Sequence, residues 1–352
     1  MEKMKKKIAI VLFNLGGPDQ LSSVKPFLFN LFNDPAIIGA PKIIRYFLAK
    51  LISTKREKTA QEIYSFMGGK SPILEETTNQ AKMLQKNLDN EDNEYKVFIS
   101  MRYWKPFVED TIKKVINWDP KEVILLPLYP QFSTTTSGSS FLSWKKAASR
   151  NNYDVSTKIV CCYPEDKNFI LAHTKNIKNM LNKVKKNIDK KQNIRLLFSA
   201  HGLPEKIIKK GDPYQNQIEK TVNKILENID NKQFGHTICY QSKVGPLKWI
   251  GPSTESEIIK ASKKKETIVL IPIAFVSEHS ETLVELDIEY REVAMLNGCK
   301  NYYRVPALGI SKDFINGLHN LILKQSNNTI LNKKICENSF KECFYKTFWG
   351  NK

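Results

Sequence analysis

The 352-residue sequence contains no G-x-G-x-x-G and no G-x-x-x-x-G-K-[ST] run, the Gly-rich turns that hold nucleotide phosphates against a helix N-terminus. Their absence counts against a dinucleotide or NTP enzyme. There are six cysteines, with no C-x-x-C spacing and no even distribution, so a secreted disulfide scaffold is not expected and a reducing compartment fits better. No apolar stretch approaches the roughly 18 residues of a membrane-crossing helix. The start, "MEKMKKKIAIVLFNLGGP", imitates a signal peptide, but its apolar run is short, includes Asn14 and ends in Gly16-Gly17-Pro18. It reads as a first β-strand. Acidic residues are the scarcer sign of charge: Lys+Arg 55 against Asp+Glu 36 gives a formal +19. That balance suits nucleic acid, a membrane surface or a carboxylated small molecule and does not choose among them. Much of the excess lies in "KNIKNMLNKVKKNIDKKQN" (175–193), which reads as a solvated helix face.

What is present is a series of continuous apolar runs, at 7–15, 95–103, 122–129, 158–163, 193–201, 236–242 and 267–276. Runs rich in Ile and Val and apolar on both faces suit fully buried parallel strands. Helix-length segments separate them, at 75–89, 107–117, 213–228 and 280–297 among others. The alternation predicts an α/β class with open parallel sheets flanked by helices. The length predicts two domains with a cleft between them. We place the first at 1–150, the second at 151–325 and a C-terminal extension at 326–352.

In open α/β sheets, ligands collect beyond the carboxyl ends of the strands. Those ends read "NLGGPD" (14–19), "MRYWKP" (101–106), "PLYPQFSTTTSGSS" (127–140), "SAHGLP" (199–204), "YQSKVGPLKWIGPSTES" (240–256) and "FVSEHSETLVELDIEYRE" (275–292). His201, one of only five histidines, stands where the 193–201 run stops. After the 267–276 run, Ser277 is placed to cap a helix. On that helix Glu281, Glu285 and Glu289 recur every four residues, which puts three carboxylates on one face. A row of like charges is slightly destabilising, and an acidic face turned to solvent is its plain reading. Beside His279, at a strand end of a basic protein, it also suits a divalent cation or a proton. His201 and Glu281 both follow strands of the second half, so one pocket could hold them as metal ligand and base. His173, His236 and His319 lack such surroundings and are assigned to structure.

Arg102, Tyr103, Trp104, Tyr64, Phe132 and Trp249 offer ring faces and a fixed cation for a flat, anionic, apolar ligand; ordinary core aromatics are the alternative. Residues 31–56 carry Ile43, Ile44, Phe47, Leu48, Leu51 and Ile52 on one helical stripe, with Lys42, Arg45, Lys50, Lys55 and Arg56 nearby. They form either a core helix or a basic amphipathic surface for anionic lipid.

Taken in order, "LFNLGGPD", "GGKSPI" (68–73), "MRYWKP", "YPQFSTTTSGSS", "FSAHGLP", "GDPY" (211–214), "QSKVGPLKWIGPST" and "PIAFVSEHSETLVELDIEY" resemble the ferrochelatases, which insert ferrous iron into a porphyrin. The resemblance runs from about residue 8 to about 325. It implies two Rossmann-like domains with the porphyrin in the cleft, His201 and Glu281 as catalytic and metal-receiving pair, and Glu285 and Glu289 as a path for metal or protons. It further implies that Leu15, Tyr64, Ser71, Arg102, Tyr103 and Trp249 contact the macrocycle or its propionates. The coproporphyrin branch carries tyrosine after the residue matching Asn14, where this chain has Leu15, which favours protoporphyrin IX. The 31–52 segment resembles the lip by which protoporphyrin-type members meet a membrane. The implied protein is cytoplasmic and peripheral on an anionic inner leaflet, with iron as substrate, no tightly bound cofactor and no nucleic-acid partner. Oligomeric state is not fixed. Some members bind a 2Fe–2S cluster through C-terminal cysteines plus an earlier one; here the tail offers only Cys336 and Cys343, and Ala172 stands at the earlier position. No cluster is expected, since four thiolates are the usual set, although Cys161 or Cys162 remain as substitutes.

Overall fold

A computed structural model describes residues 5–189, 191–229, 233–326 and 340–342. The chain divides into two compact units, 1–162 with 318–335 and 163–317 with 336–352.

In the first unit, β1 (Lys7–Asn14), β2 (Glu94–Met101), β3 (Glu122–Pro127) and β4 (Thr157–Ile159) form a parallel sheet in the order β2-β1-β3-β4. Helices cover its faces, which is why β1 and β3 are apolar without alternation: every residue of β3 is buried. The helices are α1 (Val24–Phe32), α2 (Lys42–Ser65), α3 (Ile73–Leu88), α4 (Val108–Trp118) and α5 (Ser139–Arg150). A short π-helical turn, Thr134–Gly138, leads into α5.

The second unit repeats the plan. It holds β5 (Ile194–His201), β6 (Gly235–Gln241), β7 (Thr267–Pro272) and β8 (Tyr302–Arg304), again all parallel, in the order β6-β5-β7-β8. Around them lie α6 (Lys167–Asn187), α7 (Glu205–Lys209), α8 (Tyr214–Asn228), α9 (Thr254–Lys263) and α10 (Tyr290–Leu296); α11 (Lys312–Ser326) crosses the division. β1 and β5 therefore hold the same place in their sheets, and Asn14 and His201 end them.

The α/β class with parallel sheets stands as read from the sequence, with three adjustments. The division falls at 162/163 and not at 150, because β4 hydrogen-bonds to β3 and so belongs to the first sheet. β8 was not foreseen, since "YYR" is too short and too polar to register as an apolar run. The helix expected over 280–297 is π-helical over Glu281–Glu289 before α10, and Ser280, not Ser277, precedes it.

The 31–56 segment is not a core helix along its length. After α1 the chain breaks through Asn33-Asp34-Pro35 and restarts after Pro41 as α2. Ile43 is 73%, Phe47 65% and Leu51 52% exposed. Ala49 is buried and Ile52 half-buried against a cluster that includes Val24, Phe27, Phe32, Tyr64 and Tyr103. One side of α2 thus packs on its unit while its apolar stripe faces outward. No helix among the described residues is long and apolar enough to cross a membrane. The extension at 326–352 lies almost wholly outside the described residues.

Candidate functional site

His201 is the last residue of β5 and pairs in register with Gln241, the last residue of β6. At the next position, Ser242, the backbone turns into the left-handed region with φ 61°, a conformation costing a non-glycine residue roughly 1–2 kcal/mol. The turn aims both the amide and the hydroxyl of Ser242 at the π-helical segment. Ser242 N–H donates to Glu285 Oε1 at 2.9 Å and Ser242 Oγ to Glu285 Oε2 at 2.5 Å. Gln241 Nε2 donates to Glu285 Oε2 at 3.0 Å, and Tyr290 OH to Oε1 at 3.0 Å. Glu285 is thereby held by donors from two elements. Glu281, four residues earlier, lies against His201 Nδ1 at 3.0 Å and within 3.4 Å of Ser242 Oγ. The distance between His201 and Glu281, eighty positions apart in sequence, is thus that of a hydrogen bond.

The pair remains in touch with solvent: the side chains of His201 and Glu281 are 37% and 26% exposed. Burial opposes charge on the His201 ring, but the adjacent Glu281 carboxylate, helped by Glu285, holds the imidazole above its ordinary 6.5. Burial likewise opposes charge on Glu281, and the facing His201 outweighs it, so this carboxyl stays well below its ordinary range. Glu285 goes the other way, pushed up by burial and by the neighbouring Glu281 charge. Two carboxyls with opposite shifts, one beside an imidazole, mark this strand end as a candidate site for proton exchange. The His201 Nε2 has no partner among the described residues.

Trp249 flanks the pair, its ring centroid 6.2 Å from that of His201 at an interplanar angle of 73°. Gly202 makes room for it: a Cβ there would meet Trp249 Cε3 at 2.9 Å and the Gln241 carbonyl at 3.0 Å. Ser199 lies beneath, buried, with its hydroxyl on Gln241 Oε1 at 2.8 Å and Thr254 Oγ1 at 2.9 Å. It orients the glutamine that holds Glu285.

Glu289 is exposed, so of the three carboxylates spaced by four only the first two reach the histidine end. His279 is buried with Nδ1 at 3.1 Å from the Ser277 carbonyl, and burial lowers its basicity. His173 is buried against Phe169, which pushes it down to about 3; His236 is exposed, and His319 bonds Glu91. No group of three or more His, Cys, Asp or Glu side chains among the described residues is placed to hold a metal ion. Cys161 and Cys162 are buried, while Cys336 and Cys343 lie outside the described residues.

In the first unit two of the expected binding residues, Arg102 and Tyr103, converge on Asp34, which the sequence alone did not single out. Asp34 Oδ2 accepts from Arg102 Nη2 at 2.7 Å, Tyr103 OH at 2.9 Å and Ser139 Oγ at 2.5 Å. Arg102 Nε also donates to Ser139 Oγ at 2.7 Å, and the guanidinium lies 5.1 Å from the Tyr103 ring centroid. Arg102 is therefore the fixed cation foreseen, but its charge already faces a buried carboxylate. Tyr64, Tyr103 and Phe132 are buried, in keeping with core aromatics; Trp104 and Trp249 are half-buried. Leu15, half-buried, follows Asn14, whose Nδ2 donates to Thr77 Oγ1 at 2.9 Å. Ser71 is locked to the same loop: its amide donates to the Pro18 carbonyl at 2.8 Å, and a Cβ on Gly17 would meet Ser71 Cβ at 2.5 Å.

A family model described as Ferrochelatase matches residues 7–326. A protein named Ferrochelatase from Pelagibacter ubique is 56% identical over 344 residues, covering 96% of this chain and 98% of its own length. Another of that name, from Rickettsia bellii, is 52% identical over 348 residues, covering 96% of this chain and 95% of its own. Among solved structures, SirB from Bacillus subtilis with Fe3+ shares the fold, with a TM-score of 0.54 at 12% identity over 92% of this chain and 97% of that one.

Proposed function

The chain belongs to the ferrochelatase family, and from that premise we propose that it inserts ferrous iron into protoporphyrin IX, releasing two protons as protohaem forms. The observation that carries the reading is the His201–Glu281 contact at 3.0 Å, continued to Glu285 through Ser242. Insertion demands two things of the protein: a base for each departing pyrrole proton and an anionic path for a dication or its displaced protons. His201 meets the macrocycle through Nε2 and takes the first pyrrole proton there, Glu281 on Nδ1 offsetting the imidazolium charge, and once that proton has moved on the neutral imidazole takes the second. Ser242 and Glu285 pass the proton onward, and exposed Glu289 continues the acidic row toward solvent. Iron enters as substrate, with His201 and Glu281 as its transient donors.

Trp249 supplies a ring wall beside His201; Leu15, Ser71 and Arg102 are further macrocycle contacts that the family resemblance supports, whereas Tyr64 and Tyr103 are buried. Rigid walls let binding energy bend the macrocycle toward the form that accepts the metal. The reading carries no 2Fe–2S cluster; iron and sulfide stoichiometry of purified protein checks that. Anaerobic incubation with ferrous iron and protoporphyrin IX, followed by loss of porphyrin fluorescence, tests the assignment, and no insertion by the unmodified chain would defeat it. Leu15 predicts slower insertion into coproporphyrin III in the same assay.

The outward stripe of α2, with Lys42, Lys50, Lys55 and Arg56 beside it, supports a peripheral seat on an anionic leaflet, at the cytoplasmic face where an apolar porphyrin partitions. Replacing Phe47 by Glu is expected to weaken sedimentation with phosphatidylserine-containing vesicles by about tenfold or more, since one buried aromatic side chain is worth about 1.5–3 kcal/mol. Insertion with detergent-dispersed porphyrin should be unaffected.

A further inference from the structure

The segment that carries Glu281 and Glu285 has a backbone its own sequence does not favour. Glu281–Glu289, "ETLVELDIE", contains good α-helix formers, yet it winds with i→i+5 hydrogen bonds, the last running from the Tyr290 amide to the Glu285 carbonyl. Such winding is rare beyond a single turn, so a nine-residue run needs support from outside the helix. That support comes from β8 and from Arg291.

Arg304, the last residue of β8, has a side chain only 9% exposed. Its Nη1 reaches Glu278 Oε1 at 2.9 Å and its Nε reaches Asp287 Oδ2 at 2.9 Å. One guanidinium therefore ties the loop before the π-helical run to a residue near its end. Glu278 is further fixed by the Ala307 amide at 2.9 Å. Two residues back along β8, Tyr302 OH donates to the Leu286 carbonyl at 2.5 Å. Arg291 closes the set, with Nε on the Asp287 carbonyl at 3.0 Å and Nη1 on the Tyr302 carbonyl at 2.9 Å. Two backbone carbonyls in the middle of the run thus take side-chain donors.

We propose that Arg304 and Tyr302 are positioning residues for the reaction: they hold Glu281–Glu289 in π-helical register, and that register sets Glu281 on His201 while Glu285 stays on Ser242. The geometry explains why the register matters. Glu285 is anchored by Ser242, Gln241 and Tyr290, so a tightening to α-helical winding rotates Glu281 about that fixed point and away from the imidazole. β8, an edge strand too short to contribute much to the sheet, earns its place by carrying the two donors.

This inference rests on the reading that His201 and Glu281 do the chemistry, and two measurements separate it from that reading. Tyr302→Phe deletes one oxygen from a buried ring, Arg304→Met removes the tie between Glu278 and Asp287, and Arg304→Lys keeps the charge without the fork that spans both carboxylates. In anaerobic insertion assays, Arg304→Met should lower kcat by about 10- to 100-fold, the scale of a misplacement near 1 Å, with KM for protoporphyrin unchanged within about twofold. Arg304→Lys should restore less than half of that loss, and Tyr302→Phe should lower kcat by at least threefold. In 15N-labelled protein without substrate, the His201 titration midpoint should fall in both Arg304→Met and Tyr302→Phe, because Glu281 no longer faces the ring. Unchanged kcat and an unchanged His201 midpoint in folded Tyr302→Phe and Arg304→Met overturn the proposal, as does full recovery with lysine. If Arg304→Met does not fold, Tyr302→Phe decides alone. A wild-type chain without insertion activity would defeat the functional reading and leave the His201 midpoint to judge the register.

Discussion

Replacing His201 with alanine should reduce iron insertion by about 10²–10⁴-fold, the range a positioned general base contributes. The loss should appear in kcat, because Trp249, which flanks the imidazole at 6.2 Å between ring centroids, stays in place as a wall for the macrocycle. Folding should survive. His201 ends its strand, its side chain is 37% exposed, and the β5–β6 register is fixed by backbone bonds along the whole of β6. Removing the ring also leaves Glu281 without its cation, so its proton affinity should rise toward that of an ordinary carboxyl. Added imidazole, small enough to enter the vacated space, should return part of the activity. Turnover by fluorescence loss, with circular dichroism as the folding control, checks the result; an alanine variant that turns over at the wild-type rate removes His201 from the chemistry.

The strand ends were legible because each combines a buried apolar run with a sudden change to small, polar and Gly/Pro residues, and that is a local signal. β5 is the clearest case, where "IRLLFSAH" goes from fully buried to half-exposed at its histidine. β8 gave no such signal, since an edge strand of three residues needs no apolar run. The pairing of His201 with Glu281 could only be suspected: the sequence shows that both follow strands, whereas the contact depends on β5 and β7 being neighbours in the sheet. Ser242, Gln241 and Asp34 were missed for a different reason. Their roles depend on a left-handed turn at Ser242 and on the break between α1 and α2 that buries Asp34 under Arg102, and polar residues in loops look alike until the backbone places them. The spacing of Glu281, Glu285 and Glu289 was visible, but an α-helical reading put all three on one face. The π-helical run and its tie to Glu285 bring two of them together and leave Glu289 exposed.

Replacing Glu281 with glutamine keeps the size of the side chain and removes its charge, so its effects on rate and on pH separate. Without the Glu281 carboxylate, burial opposes charge on His201 with only the more distant Glu285 left to favour it, and the basicity of the imidazole should fall. Glu285, relieved of a like charge, should fall toward its ordinary 4.5. The acidic limb of the kcat/KM profile, which reports protonation of the base, should therefore move to lower pH. The rate on the plateau should drop by about 10²–10³-fold, because the imidazolium formed in the reaction lacks its counter-charge and the ring is a weaker base. Stability should change with its own pH signature. A histidine raised in the folded state contributes stability fully below 6.5 and loses it as pH rises through the folded value. A carboxyl depressed in the folded state contributes above 4.5 and loses its share as pH falls through about 2. Both contributions are whole only between about pH 4.5 and 6.5, so the Tm difference between wild type and Glu281→Gln should be largest near pH 5–6 and shrink on either side. The partial exposure of both side chains keeps that difference small through solvent screening. A pH-rate profile whose acidic limb stays in place, or a Tm difference that grows steadily above pH 7, would show that Glu281 does not set the protonation of His201.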